Sequence, residues 1–303
     1  MKFGLLSAIL DNSTFEEVID FASERGLECV ELACWPLGKS ERRYAGVSHI
    51  DADSLDSSKI EYINDYCEKK NVKISSLGYY PNPLDPDSDA SGAAIGHINK
   101  LIDASAALGI NMVTTFIGRD PAKTVDENLE LMKKVWKPII KHAEDKGVKI
   151  AIENCPMLFT YDEWPGGKNL MTTPAIWKKV FGAIDSKNIG LNFDPSHFVW
   201  QQMDYIAPLY EFSDRIFHIH FKDIKLYSGK LDQVGIMAAP LEYMSPKIPG
   251  LGDINWGRFV SALTDIGYEG CACIEVEDKA FEKSQEDIIK AIDQSIRYLK
   301  QYV

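Results

Sequence analysis

The chain lacks any Lys/Arg-rich run, and its 33 basic residues are outnumbered by 45 acidic ones, for a formal charge of −12. Such a balance repels phosphate backbones, so nucleic acid is excluded as an expected partner. No apolar run approaches the ~20 residues that span a bilayer, so no membrane partner is expected either. The apolar stretch from Phe3 to Leu10 stops at Asp11-Asn12 without a small-residue cleavage site, which does not fit a secretory signal. CxxC pairs are absent too. The six cysteines (Cys29, Cys34, Cys67, Cys155, Cys271 and Cys273) are scattered, which fits reduced, mostly buried thiols in a cytoplasmic protein. There is no Walker loop and no GxGxxG after a strand, and only Gly250-Leu251-Gly252 suggests a phosphate site. Because no Gly/Ser/Pro linker divides the 303 residues, 1–303 read as one domain.

What is present is an ordinary globular composition, 45% hydrophobic and 26% charged, carrying one repeated pattern. Short apolar, β-rich runs alternate with stretches of helical period. The expected strands are Phe3–Ala8, Cys29–Cys34, Lys73–Gly78, Met112–Ile117, Lys149–Glu153, Ile189–Asp194, Ile216–Lys222 and Cys271–Glu277. Expected helices include Thr14–Arg25, Ser57–Lys70, Ala93–Leu108, Val125–Lys146, Thr172–Ala183 and Ser284–Tyr302. Glycines 26, 109, 147 and 267 punctuate helix ends just before the next strand. Eight strands, each followed by helix, predict an α/β fold, a (β/α)₈ TIM barrel, in preference to an open sheet. The weakly periodic stretches 35–56 and 223–254 follow strands, which places them on the C-terminal face where barrel active sites form.

The chemistry-bearing residues sit at the ends of the last four barrel strands. Alternation of faces sends Phe217, Ile219 and Phe221 towards the helices and His218, His220 and Lys222 inwards. The same parity points Glu153, Asp194 and Glu275 into the barrel near its C-terminal rim. Three carboxylates in one pocket repel one another unless something neutralises them, and Lys222 is expected to neutralise only one. One imidazole with three carboxylates suits a divalent cation, Mn²⁺ first, with Mg²⁺, Co²⁺ or Zn²⁺ also compatible. The bland alternative is ordinary Arg/Lys pairing of each acid.

Several ordered segments then carry a resemblance: Ile152-Glu153-Asn154, Phe193-Asp194-Pro195-Ser196-His197, His218-Ile219-His220-Phe221-Lys222-Asp223, Pro249 to Trp256, and Ile274-Glu275. Together they resemble the sugar phosphate isomerase/epimerase family. These are the xylose isomerase-like barrels, which include ketose 3-epimerases, inosose dehydratase and endonuclease IV. The resemblance implies that Glu153, Asp194, His220 and Glu275 bind one catalytic divalent metal and that His197 touches substrate. Two departures count. The histidines that endonuclease IV adds for a three-zinc cluster are missing at Gly78-Tyr79 and Ile117-Gly118. Leu226 stands where ketose 3-epimerases carry an arginine. A DNA-repair activity and a copied sugar specificity are both disfavoured.

Such a site abstracts a proton next to a carbonyl, with the cation stabilising the enediolate and Glu153 and Glu275 acting from opposite flanks. Inversion, isomerisation and β-elimination share that start, so an isomerase/epimerase is expected, with a lyase or dehydratase acting on a keto-sugar, inosose or 3-keto-glycoside as the alternative. A barrel that binds sugar without turnover is the second alternative. His197 is a candidate for substrate contact or proton shuttling. Lys222 would hold a substrate oxygen or phosphate, or pair with Asp223, Asp253 or Glu277, and Glu31 is a candidate for sugar hydroxyls. Trp35, Tyr80, Trp164 and Trp200 are candidates to stack on a sugar ring. His218 reads as an interior or supporting residue, and His49, His97 and His142 as structural. The expected partner is a small sugar or sugar-derived molecule, with homo-oligomer formation open.

Overall fold

The computed structural model describes residues 1–37, 45–158 and 166–303; Trp164 lies outside the described residues. Ten strands occur among them: β1 (Lys2–Leu6), β2 (Cys29–Ala33), β3 (Lys73–Gly78), β4 (Met112–Thr115), β5 (Lys149–Glu153), β6 (Ile189–Phe193), β7 (Ile216–Phe221), β8 (Asp223–Leu226), β9 (Met244–Lys247) and β10 (Cys271–Ile274). Eight close into a parallel barrel in the order β1-β10-β7-β6-β5-β4-β3-β2. This is the predicted (β/α)₈ architecture. The helices are α1 (Phe15–Glu24), α2 (Ser57–Lys70), α3 (Ser88–Ala107), α4 (Val125–Lys146), α5 (Pro174–Ala183), α6 (Ser196–Val199), α7 (Ala207–Glu211), α8 (Ser228–Val234), α9 (Trp256–Asp265) and α10 (Gln285–Leu299). None is long and apolar enough to cross a membrane.

Local chemistry sets the helix ends. Thr14 with Glu17 and Thr124 with Glu127 form reciprocal capping boxes that satisfy the first free N–H groups of α1 and α4. Gly147 ends α4 in the left-handed region, with φ of 69°. Helix α3 begins at Ser88, five residues before the expected Ala93. The Asp87 carboxylate accepts from the N–H groups of Asp89 and Ala90, and glycines 92 and 96 dilute the apolar period that marks a helix.

Strand parity behaves as alternation requires. Ile152, Phe193, Ile219, Phe221 and Ile274 are fully buried, each contributing about 1.5–3 kcal/mol relative to exposure. Phe221 meets Trp256 of α9 with ring centroids 5.1 Å apart, and Phe193 meets Trp177 of α5 at 5.9 Å.

The stretch 223–254 is more regular than its sequence suggests. Strands β8 and β9 form an antiparallel hairpin outside the barrel, with Asp223 opposite Lys247 and Leu226 opposite Met244. Buried Asp223 anchors its return. Its carboxylate accepts from the backbone N–H groups of Ile224 (2.8 Å), Gly250 (2.9 Å) and Ile254 (3.2 Å) and from the Trp256 indole (3.0 Å). A Cβ at Gly252 would lie 2.1 Å from that carboxylate, so only glycine fits. The Gly250-Leu251-Gly252 turn therefore packs around Asp223, and the Gly250 N–H is engaged by that carboxylate and not free for a phosphate.

Candidate metal centre

Four neighbouring strands deliver the expected residues to one point. Glu153 ends β5, Asp194 follows β6, His220 lies in β7, and Glu275 follows β10. All four are buried, and one donor atom from each lies within 4.8 Å of the others. Asparagines that the sequence reading passed over brace this rim. Asn154 clamps the backbone of Asp194, accepting from its N–H at 2.7 Å and donating to its carbonyl at 2.9 Å. Asn169 donates to the carbonyls of Glu153 (2.8 Å) and Cys155 (2.6 Å) and accepts from the Ile117 N–H. Asp194 turns Oδ1 to the Ser196 N–H at 2.8 Å, which leaves Oδ2 facing the pocket.

Asp194 Oδ2, His220 Nδ1 and Glu275 Oε2 are buried there without a well-formed hydrogen bond. Buried polar atoms of this kind need a partner. His220 Nδ1 is 3.1 Å from Glu275 Oε2 and 3.7 Å from Glu153 Oε1. The Lys222 ammonium approaches Asp194 Oδ2 and Glu275 Oε2 to 2.9 and 3.0 Å; with Glu153 and His220 Nδ1 these oxygens form the donor set of a borderline-hard divalent cation, so the residues present fit such an ion.

Lys222 is shared among these acids, its single charge offsetting one of them. Its ammonium lies 2.9 Å from Asp194, 3.0 Å from Glu275, 3.3 Å from Glu277 and 3.8 Å from Glu153, so it faces four acids. Of the three partners expected for it, only Glu277 pairs; Asp253 instead meets Lys225. The surroundings also separate the two flanking glutamates. Burial favours neutral Glu153, but the contacts with His197 and His220 and the charge of Lys222 outweigh it and hold its carboxyl down to about 2. Burial prevails at Glu275, whose carboxyl is pushed above the usual range. Burial likewise opposes charge on His197, yet the acidic groups around it, led by Cys155, hold its imidazole well above the ordinary histidine value.

Glu31 departs from its expected role as a sugar ligand. It is fully buried, with Oε1 accepting from the Tyr80 hydroxyl and from Thr114 Oγ1, the latter at 2.7 Å. Its Oε2 lies 2.8 Å from His220 Nε2. A carboxylate can only accept, so Nε2 donates to Glu31, and in its neutral form the imidazole turns an Nδ1 lone pair to the pocket. Gly78 makes room for this group, since a Cβ there would sit 2.7 Å from Glu31 Oε1. Glu31→Gln is expected to weaken divalent-metal binding about 10–100-fold while the fold persists, as measured by competition with a chelating indicator.

The aromatic candidates separate as well. The Tyr80 hydroxyl serves Glu31, and Trp200 is buried with its indole N–H directed at His197 Nδ1, 3.4 Å away. Neither presents a face for stacking on a sugar. Trp35 is half-buried at the mouth, edge-on to Tyr79 and beside the cluster of Tyr80, Phe116 and Met157. His197 brings Nε2 to 3.1 Å from Asp194 and 3.6 Å from Glu153. His218 bridges Asn192 and Ser75, each at 3.0 Å, one layer below His220. His49 and His97 hydrogen-bond to Ser7 and the Cys34 carbonyl, and His142 lies 3.1 Å from Asp103, all away from the site. All six cysteines are free thiols.

The family model described as "Xylose isomerase-like TIM barrel" matches residues 19–302. YfiH of Bacillus subtilis (strain 168), an uncharacterized protein, is 25% identical over 98% of this chain and 99% of its own length. An inosose dehydratase of Clostridium perfringens (strain 13 / Type A) is 26% identical over 83% of this chain and 86% of its own. Among solved structures, an IolI protein with a bound zinc atom superposes with a TM-score of 0.70 at 18% identity, covering 100% of this chain and 99% of that one. D-psicose 3-epimerase from Clostridium cellulolyticum H10, solved with D-tagatose, gives 0.68 at 16% identity, covering 100% and 99%. At these identities, the two structures establish shared fold alone.

Proposed function

We propose, from the premise that the chain belongs to the xylose isomerase-like TIM barrel family, that it is a divalent-metal-dependent sugar isomerase or epimerase. The observation that carries this reading is the convergence of one donor atom each from Glu153, Asp194, His220 and Glu275, all buried, within 4.8 Å of one another. Glu153, Asp194, His220 and Glu275 hold the ion, with Mn²⁺ the first choice and Mg²⁺, Co²⁺ or Zn²⁺ compatible with the same donors. When bound, the cation acts as a Lewis acid on a substrate carbonyl and on the charge that develops at its oxygen.

The remaining work falls to side chains. Glu153 and Glu275 reach the pocket from strands on either side of β7, so one takes the carbon-bound proton and the other returns it. Return to the opposite face inverts the carbon, and return to its neighbour isomerises the sugar. His197 contacts the substrate from the mouth, and half-buried Trp35 borders the same opening. Lys222 holds the carboxylates together and lies within reach of a substrate oxygen. The substrate class is a sugar or sugar-derived ketone, and the glycine turn at 250–252, filled by Asp223, is not available to a phosphate.

A second reading, elimination of water or of a β-substituent from a keto-sugar, inosose or 3-keto-glycoside, is favoured by the inosose dehydratase relative. It starts from the same proton abstraction. Proton NMR in D₂O of protein reconstituted with Mn²⁺ and stripped of metal before recording, over a panel of ketoses, inososes and 3-keto-glycosides, separates the two. Deuterium uptake beside the carbonyl with inversion or an aldose product supports the isomerase/epimerase reading. An unsaturated product supports elimination. A panel that gives neither uptake nor an unsaturated product would overturn both.

A further inference from the structure

We propose that Trp200 is a positioning residue that fixes His197 as an Nε2–H donor aimed at a substrate oxygen. The inference rests on the proposed metal centre and assigns a direction to the His197 contact. His197 lies in α6 and Trp200 directly follows that helix, three residues on, so their side chains share a face. An indole N–H can only donate, and Trp200 Nε1 lies 3.4 Å from His197 Nδ1. Trp200 is only 4% exposed, so its N–H is largely shielded from water. With this indole N–H as donor, Nδ1 accepts, and the ring proton lies on Nε2 in the metal-loaded site, where the ion would engage the acids that raise the imidazole's pKa without it.

That nitrogen is buried without a well-formed hydrogen bond, 3.1 Å from Asp194 Oδ2 and 3.6 Å from Glu153 Oε1. The two imidazoles over these carboxylates are thus set in opposite senses. Glu31 makes His220 present a lone pair, and Trp200 makes His197 present an N–H. A second proton on His197 would turn Nδ1–H against the indole N–H and would add positive charge beside a dication.

The assignment also settles a second cluster. Donor atoms of Glu153, Cys155 and His197 lie within 4.8 Å of one another, a spacing that a second ion would use. With Nδ1 engaged by Trp200 and Nε2 protonated, His197 has no lone pair to give, and this cluster does not hold a second ion. Once that ion engages Asp194, the Nε2–H is available to a carbonyl or hydroxyl oxygen next to the reacting carbon. His197 then orients that oxygen and stabilises charge on it, and removal of the carbon-bound proton is left to the glutamates.

The test is long-range ¹H–¹⁵N NMR of histidine-labelled, Zn²⁺-loaded protein, with the His197 ring signals identified by their loss in His197→Gln. The expected pattern is a pyrrole-like Nε2 and a pyridine-like Nδ1 for His197, the reverse for His220, and one zinc per chain. Trp200→Phe keeps the ring and removes the donor. The single-tautomer pattern of His197 is then lost, and kcat for the exchange reaction falls about tenfold with little change in KM. A protonated Nδ1 in the parent protein, an unchanged pattern in Trp200→Phe, or a second zinc held through His197 would overturn the proposal. The parent spectrum decides the matter even if Trp200→Phe does not fold. Failure to bind zinc at all overturns the metal centre instead, a result separate from the ring pattern.

Discussion

A Glu275→Gln variant exchanges the carbon-bound proton of its substrate about 10²–10⁴-fold more slowly than the parent protein, the range expected on losing a positioned acid–base group. The change preserves side-chain size but removes the proton-carrying oxygen, and it also replaces a ligand atom now buried 3.1 Å from His220 and 3.0 Å from Lys222. The loss therefore has two components. At metal concentrations that saturate the variant, only the acid–base component remains, and Glu153→Gln shows a comparable defect. The measurement is solvent-deuterium uptake by NMR at several metal concentrations. Full recovery of rate at high metal would show that Glu275 serves only as a ligand.

Removing Lys222 has the second large effect, and it appears in stability. The ammonium is almost wholly buried among Glu153, Asp194, Glu275 and Glu277. Lys222→Met leaves these acids without a counter-charge, and breaking a buried ion pair from one side costs about 3–5 kcal/mol. That penalty belongs to the metal-free protein. A bound dication supplies the missing charge, and binding to the folded state alone adds about 4 kcal/mol at a thousandfold excess over Kd. Denaturant unfolding of both proteins, with chelator and with saturating Mn²⁺, is expected to show a wide gap without metal and a narrow one with it. Equal gaps would mean that Lys222 stabilises by packing alone.

The barrel was legible in the sequence because each strand obeys a strict alternation. Phe217, Ile219 and Phe221 pack outwards and His218 and His220 inwards, as a period of two demands. The meeting of Glu153, Asp194, His220 and Glu275 followed from the same parity, since adjacent strands end at matched heights. What parity does not encode is the destination of a long side chain. Lys222 bends to four acids, and Glu31, read as a sugar ligand from its inward position, instead meets His220, Thr114 and Tyr80 across the barrel. Both contacts depend on which side chains converge from distant strands. Trp200 was read as a platform for sugar because an aromatic near the mouth is common to both roles. Its proximity to His197, three residues earlier, was the available signal for the other. The β8–β9 hairpin escaped notice because Pro246 and the polar residues around it carry no clean alternation.

The most direct test of the metal centre is elemental analysis of the protein after reconstitution with Mn²⁺ and removal of free ion, beside a double variant carrying Asp194→Asn and His220→Gln. The parent protein is expected to retain one divalent ion per chain, released by a chelator and regained on re-addition, and the double variant to retain none while still folded by circular dichroism. A parent protein that holds no ion, or a double variant that holds it equally well, would contradict the assignment of these four strand ends as a metal site.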